Sequence, residues 1–143
     1  MSEQNEPNEY GVSFSQLHAL ALVDMDRDGV PDIVTGKRWY AHGTNDPGAL
    51  DPAVLYWFRT ARDGKSINFV PYQIDTNSGV GTQVVSGDLN GDEWPDIVVG
   101  NKKGTFVFLH ETEDVDRAKW ETEQPKRVDG EKKSEAGTSA KPR

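Results

Sequence analysis

Residues 23–36, VDMDRDGVPDIVTG, align without a gap on residues 87–100, GDLNGDEWPDIVVG, at an offset of 64 residues. Nine of the fourteen aligned positions are the same or alike in chemistry, which chance rarely supplies over so short a window. Each copy lies between two short apolar runs, so each reads as a pair of strands joined by an acid-loaded loop. Neither unit covers both of its faces alone, so such a chain is expected to belong to a longer stack of these units, to associate with copies of itself, or to form a compact two-sheet sandwich.

The rest of the chain agrees with that constraint. Its apolar runs are short, rich in Val, Ile, Phe and Tyr, and separated by Gly, Pro, Asn and Asp clusters. Strands are predicted near Leu17–Val23, Asp32–Lys37, Val54–Thr60, Asn68–Ile74, Gln83–Gly87, Ile97–Gly100 and Thr105–His110. No stretch of eleven residues carries a helical period, so the fold class is all-β. Along Val54 to Arg59, alternation puts Tyr56 and Phe58 on one face and Leu55 and Trp57 on the other. With Trp39 and Tyr40 these aromatics suit either core packing or a platform for sugar rings.

Three zones follow from composition. Residues 1–12 form a polar arm, residues 13–112 carry nearly all the apolar content, and residues 126–143 read as a disordered charged tail. The first repeat unit spans about 13–77 and the second about 78–125, where Trp120 is expected to pin one last strand. The formal charge of −8 argues against nucleic acid, which needs a basic face, and against adsorption to an anionic membrane. No apolar run reaches the roughly 20 residues of a membrane helix. With no cysteine, disulfides and thiolate chemistry are excluded.

The acids themselves are patterned. Asp24, Asp26, Asp28 and Asp32 occupy positions 1, 3, 5 and 9 of the first loop, and Asp88, Asn90, Asp92 and Asp96 take the same places in the second. Alternate residues of a tight loop direct their oxygens to one point, and calcium takes six to eight oxygens at about 2.3–2.6 Å. The position-7 carbonyls, of Val30 and Trp94, add to each shell. A turn-forming role for Asp and Asn accounts for one or two of these residues, but not for the same spacing twice. Two calcium sites are therefore expected, the loop at 24–32 being the tighter. It has four carboxylates against three, and Gly29 at position 6, where the second loop puts Glu93 in a place that favours positive φ.

The pattern Asp-x-Asp/Asn-x-Asp-x-x-x-Asp-Ile-Val-x-Gly between two strands resembles the FG-GAP/VCBS repeat, a unit of integrin-α-type β-propellers. The resemblance implies two propeller-blade-like antiparallel units, one complete and one about three-quarters complete, a partial β-propeller. A compact β-sandwich is the alternative architecture. It also implies that calcium staples the loop between the first two strands of each blade, with no catalytic residues. The resulting expectation is a non-enzymatic, calcium-binding module of adhesion or accessory type, meeting a carbohydrate or protein ligand. Self-association through open sheet edges is a further possibility, as is a calcium-supported enzyme acting on polysaccharide. No signal peptide is visible at Met1 to Tyr10, yet loops of this kind suit the calcium found outside cells, so an extracellular or periplasmic location is expected.

Overall fold

The computed structural model describes residues 6–128. Seven strands form two antiparallel sheets. The first holds β1 (Leu17–Val23), β2 (Asp32–Lys37), β3 (Leu55–Asp63) and β4 (Ser66–Asp75) in the order β1-β2-β3-β4. The second holds β5 (Val84–Gly87), β6 (Asp96–Asn101) and β7 (Gly104–Phe108) in the order β5-β6-β7. Each sheet is a simple meander, and neither closes into a barrel. β1 and β2 have the bounds that the sequence predicts. β3 and β4 run longer, to the pair Asp63 and Ser66, because their ladder continues up to a two-residue turn at Gly64 and Lys65.

The register defines what each sheet presents. Ala21, Val34, Trp57 and Tyr72 form one row across the first sheet. This face meets the second sheet through Ala19, Ala21, Val23, Val34, Leu55 and Trp57, packed against Val84, Ile97, Val99, Phe106 and Phe108. Trp57 stacks on Tyr72 with ring centroids 4.6 Å apart inside that seam. On the opposite face Tyr56 and Phe58 lie together, and Phe14 from the N-terminal segment stacks on Tyr56 at 5.9 Å. The alternation predicted for β3 is thus observed, and Tyr56, Trp57 and Phe58 are packing residues. Trp39 and Tyr40 instead lie in the loop after β2, beneath the ammonium groups of Lys103 and Lys102.

One expectation is corrected. Trp120 is not on a last strand but in α1 (Arg117–Glu123), and it is half exposed. Asp116 caps this helix by accepting from the Lys119 amide at 2.8 Å, Arg117 pairs with Glu121, and Pro125 follows its end. At seven residues it is too short to show a helical period in the sequence. The second sheet therefore keeps three strands. At the termini, Val128 donates its amide to the Glu9 carbonyl and Arg127 pairs with the Glu9 carboxylate. Residues 129–143 of the tail and 1–5 of the arm lie outside the described residues.

Asp75, ending β4, turns the chain toward the second sheet by accepting from the amides of Asn77 and Ser78. Burial pushes its carboxyl up, but those backbone donors outweigh burial and hold it below the usual carboxylate range. A depressed carboxylate stabilises the fold above its unfolded pKa, and that contribution disappears as pH falls through the folded value. Asp75→Ala is expected to lower stability by about 1–2 kcal/mol at pH 7. The deficit should shrink on acidification, as urea melts of both proteins across pH would show.

Candidate metal centre

The two acid loops connect β1 to β2 and β5 to β6, so the antiparallel register places each at the same end of its unit. Within each loop the side chains fold back on the backbone, and they do so in matching fashion. Asp24 Oδ2 accepts from the Gly29 amide at 2.9 Å, and Asp88 Oδ2 accepts from the Glu93 amide at 3.0 Å. Asp28 Oδ1 takes the Val30 amide and Asp92 Oδ1 the Trp94 amide, each at 2.8 Å. Asp26 and Asn90 each accept from the amide two residues on, that of Asp28 or Asp92. The sequence repeat is thus a repeat of individual hydrogen bonds.

The backbone matches too, which resolves the difference in glycine placement. Positions 4 and 6 are left-handed in both loops: Arg27 at φ 59° and Gly29 at 86°, then Gly91 at 84° and Glu93 at 71°. Each loop needs two residues in this region and puts glycine at only one. The non-glycine residue sits at position 4 in the first loop and at position 6 in the second. These two residues meet. Arg27 pairs with Glu93 at 3.6 Å, and its guanidinium lies 5.1 Å from the Trp94 ring centroid. The loops are therefore neighbours across the seam between the sheets.

In the first loop Asp24, Asp26 and Asp28 bring carboxylate oxygens within 4.8 Å of one another. In the second, the Asn90 amide replaces the middle carboxylate and donates to Asp92 Oδ2 at 2.9 Å. Asp26 is pushed above the usual carboxylate range by burial first, then by the charges of Asp28 and Asp32, with Arg59 opposing. Arg59 reaches this cluster from β3, 3.6 Å from Asp26. Nothing in the sequence signals that approach, because β3 and the loop meet only through strand pairing.

Asp32 and Asp96, the position-9 acids, are not among the clustered oxygens. Both are fully buried at the first residue of a strand. Asp32 accepts from the amides of Met25 (3.1 Å) and Thr60 (2.7 Å) and from the Trp57 indole (2.8 Å). Asp96 accepts from the amides of Leu89 (2.7 Å) and His110 (2.8 Å). Asp32 pins its loop to β3 and Asp96 pins its loop to the segment just after β7, and Asp32 adds negative charge near Asp26. Both stand at the head of an Asp-Ile-Val run, and β6 begins at Asp96, one residue earlier than the sequence predicts. Val30 and Trp94 enter through their amides, as donors to Asp28 and Asp92.

Two clefts lie away from the acid cluster among the described residues. One of about 320 Å³ between the sheets is lined by Trp57, Tyr72 and His110 among others, with Glu111 its one carboxylate. Another of about 200 Å³, at the end away from the acid loops, includes Arg38, Trp39 and Lys102 and has no carboxylate. No described helix is long and apolar enough to cross a membrane.

The fold and loops define an all-β repeat module with acid-loaded hairpins. A family model, the FG-GAP repeat, matches residues 80–110, which take in β5, β6, β7 and the whole second loop. Residues 80–110 are thus similar to an FG-GAP repeat, and residues 23–36 share the loop pattern of that segment through the internal repeat. Comparisons with curated proteins and with solved structures found no match.

Three substitutions separate the pins from the cluster. Asp32→Ala should destabilise the chain by about 3–5 kcal/mol, since three donors lose a buried acceptor. Asp96→Ala should cost about 1–2 kcal/mol less, having one donor fewer. Equal losses in denaturant melts would show that the indole bond contributes nothing. Asp26→Asn acts oppositely. A carboxyl raised above its unfolded pKa destabilises the fold as pH rises through the folded value. The variant's metal-free thermal midpoint should therefore exceed the parent's at pH 7, and the gain should fade on acidification.

Proposed function

We propose that this chain is a non-catalytic β-repeat module whose first loop binds calcium, the cation serving to hold the loop and so the fold. The observation that carries this reading is the convergence of Asp24, Asp26 and Asp28 within 4.8 Å. Carboxyl groups held this close, with Asp26 raised by burial and then by the charges of Asp28 and Asp32, are relieved by a cation placed among them. The donor set is all oxygen, which suits a hard cation such as calcium. In this reading Asp24, Asp26 and Asp28 supply carboxylates, and the Val30 carbonyl and water contribute to the shell. Asp32 steadies the loop from beneath.

The second loop, with Asp88, Asn90, Asp92, the Trp94 carbonyl and Asp96 in the corresponding places, is the weaker site. It has one carboxylate fewer at the rim, and its Asn90–Asp92 hydrogen bond must be surrendered on binding. FG-GAP repeats are typically structural or binding modules and commonly extracellular, which fits both the assigned role and calcium at the levels found outside cells. A carbohydrate or protein partner accords with that role. The pairing of acids that glycoside hydrolysis needs is absent from the two clefts described above, which favours binding over hydrolysis.

Calorimetric titration of chelator-stripped protein with calcium, followed by thermal melts, tests this reading. Two binding events are expected, and at a hundredfold excess over Kd one site adds about 2.7 kcal/mol of stability. That should raise the thermal midpoint by roughly 10 °C. Asp24→Ala should remove the tighter event and leave the weaker. No heat and an unmoved midpoint at millimolar calcium would reduce the aspartates to turn formers and end the proposal.

A further inference from the structure

The internal repeat assigns every position of the second sheet a counterpart in the first, and this exposes an asymmetry in how the two sheets meet. By the offset of 64 residues, Val84, Ser86, Ile97 and Val99 correspond to Leu20, Leu22, Ile33 and Thr35. By strand register, Phe106 and Phe108 correspond to Tyr56 and Phe58. The second sheet thus meets the first with the face that the first sheet turns away from it. Conversely, the first sheet's seam row of Ala21, Val34 and Trp57 corresponds to Val85, Val98 and Val107. That row lies on the outside of the second sheet. The seam inside the chain joins two unlike faces, head to tail.

Both unused halves of this seam are apolar and open. Val85 and Val107 are 56% and 55% exposed, flanking Val98 in register. Leu89 extends the patch at 55%, whereas its counterpart Met25, under the neighbouring sheet, is 5% exposed. On the first sheet Leu20 and Leu22 are 52% and 66% exposed on the edge strand. Phe14 covers the Tyr56 and Phe58 portion of that face and leaves the leucines clear. An apolar sheet row open to water is a docking surface in search of its partner.

We propose that the Val85, Val98 and Val107 face of the second sheet docks the Leu20 and Leu22 face of a second copy of this chain, reproducing between molecules the head-to-tail seam within one. The occupant follows from continuity: the one surface seen to cover such a row is the opposite face of the same repeat. Such a contact is heterologous, so it propagates into a ring or an open chain of copies rather than closing as a two-fold dimer. It is also weaker than the internal seam. The Arg27 and Glu93 clasp corresponds to Gly91 of one copy and Gly29 of the next, which cannot form an ion pair.

Analytical ultracentrifugation of the parent and two variants, Leu22→Lys and Val107→Lys, across a concentration series tests this. Lysine lowers the net charge of −8, so lost association cannot come from added repulsion. Both sites are more than half exposed, and unchanged circular dichroism would verify the fold. The parent should form assemblies that grow with concentration. Each variant alone should be monomeric, and an equimolar mixture should form a one-to-one dimer that grows no further, because each partner keeps one intact face. A parent that stays monomeric would overturn the proposal. So would loss of assembly in Val107→Lys with Leu22→Lys unaffected, the mark of a two-fold contact between like faces, or a mixture that fails to pair. Assembly without calcium binding would leave this inference standing while the proposed function fell.

Discussion

Asp32 and Asp96 stand where three pieces of backbone meet. Each lies at the head of the second strand of its unit, and each carboxyl reaches the second residue of the preceding loop and an amide of the third strand or just past it, Thr60 within β3 and His110 beyond β7. A carboxyl group this deeply buried is tolerated only when its oxygens are filled by donors, and here those donors are backbone amides, joined at Asp32 by the Trp57 indole. The bond therefore works in both directions. It satisfies the amides, and it fixes the loop relative to the sheet. The shape of the acid loops is a consequence of these two pins, because a loop anchored at its second and ninth residues has little freedom between them.

That restricted span accounts for the left-handed residues. Two turns of positive φ bring the chain back over eight residues, and both loops place them at positions 4 and 6. Glycine relieves one of the two in each loop, but not the same one. Arg27 and Glu93 bear the remaining strain, on the order of 1 kcal/mol apiece, and both are long charged side chains that meet across the seam. An exposed ion pair returns less than about 1 kcal/mol, so it does not explain the strain by itself. The stacking of Arg27 on Trp94 adds to it and makes the two loops one surface.

Much of this was legible in the sequence, and for identifiable reasons. The strands were visible because turn residues bracket β-branched runs, and β1 and β2 fall where the pattern puts them. The strain at Glu93 followed from the misplaced glycine. What escaped was whatever depends on contacts between distant segments. The spacing of Asp32 and Asp96 gave no sign that they accept amides from Thr60 and His110, 28 and 14 residues away. Arg59 gave no sign that it would lean on Asp26, and α1 is a seven-residue helix, capped by Asp116 and followed by Gln124 bonded to Tyr72, too short to show periodicity. The similarity of Met25 to Leu89 in sequence hid that one is core and the other surface.

That last pair shows how the loops and the seam are linked. Met25 sits inside the acid loop, between Asp24 and Asp26, yet its side chain belongs to the inter-sheet core and its amide is held by Asp32. Any movement of the three clustered carboxylates must therefore move a core residue or break the pin beneath it. A cation held by Asp24, Asp26 and Asp28 would restrain Met25 from one side and Arg27, lying over Trp94, from the other. Order in the loop and contact between the sheets are then one equilibrium, and whatever binds the first favours the second by the same free energy. The second loop has less leverage: Leu89 is more than half exposed, so that loop reaches the seam only through the contacts of Glu93 and Trp94 with Arg27.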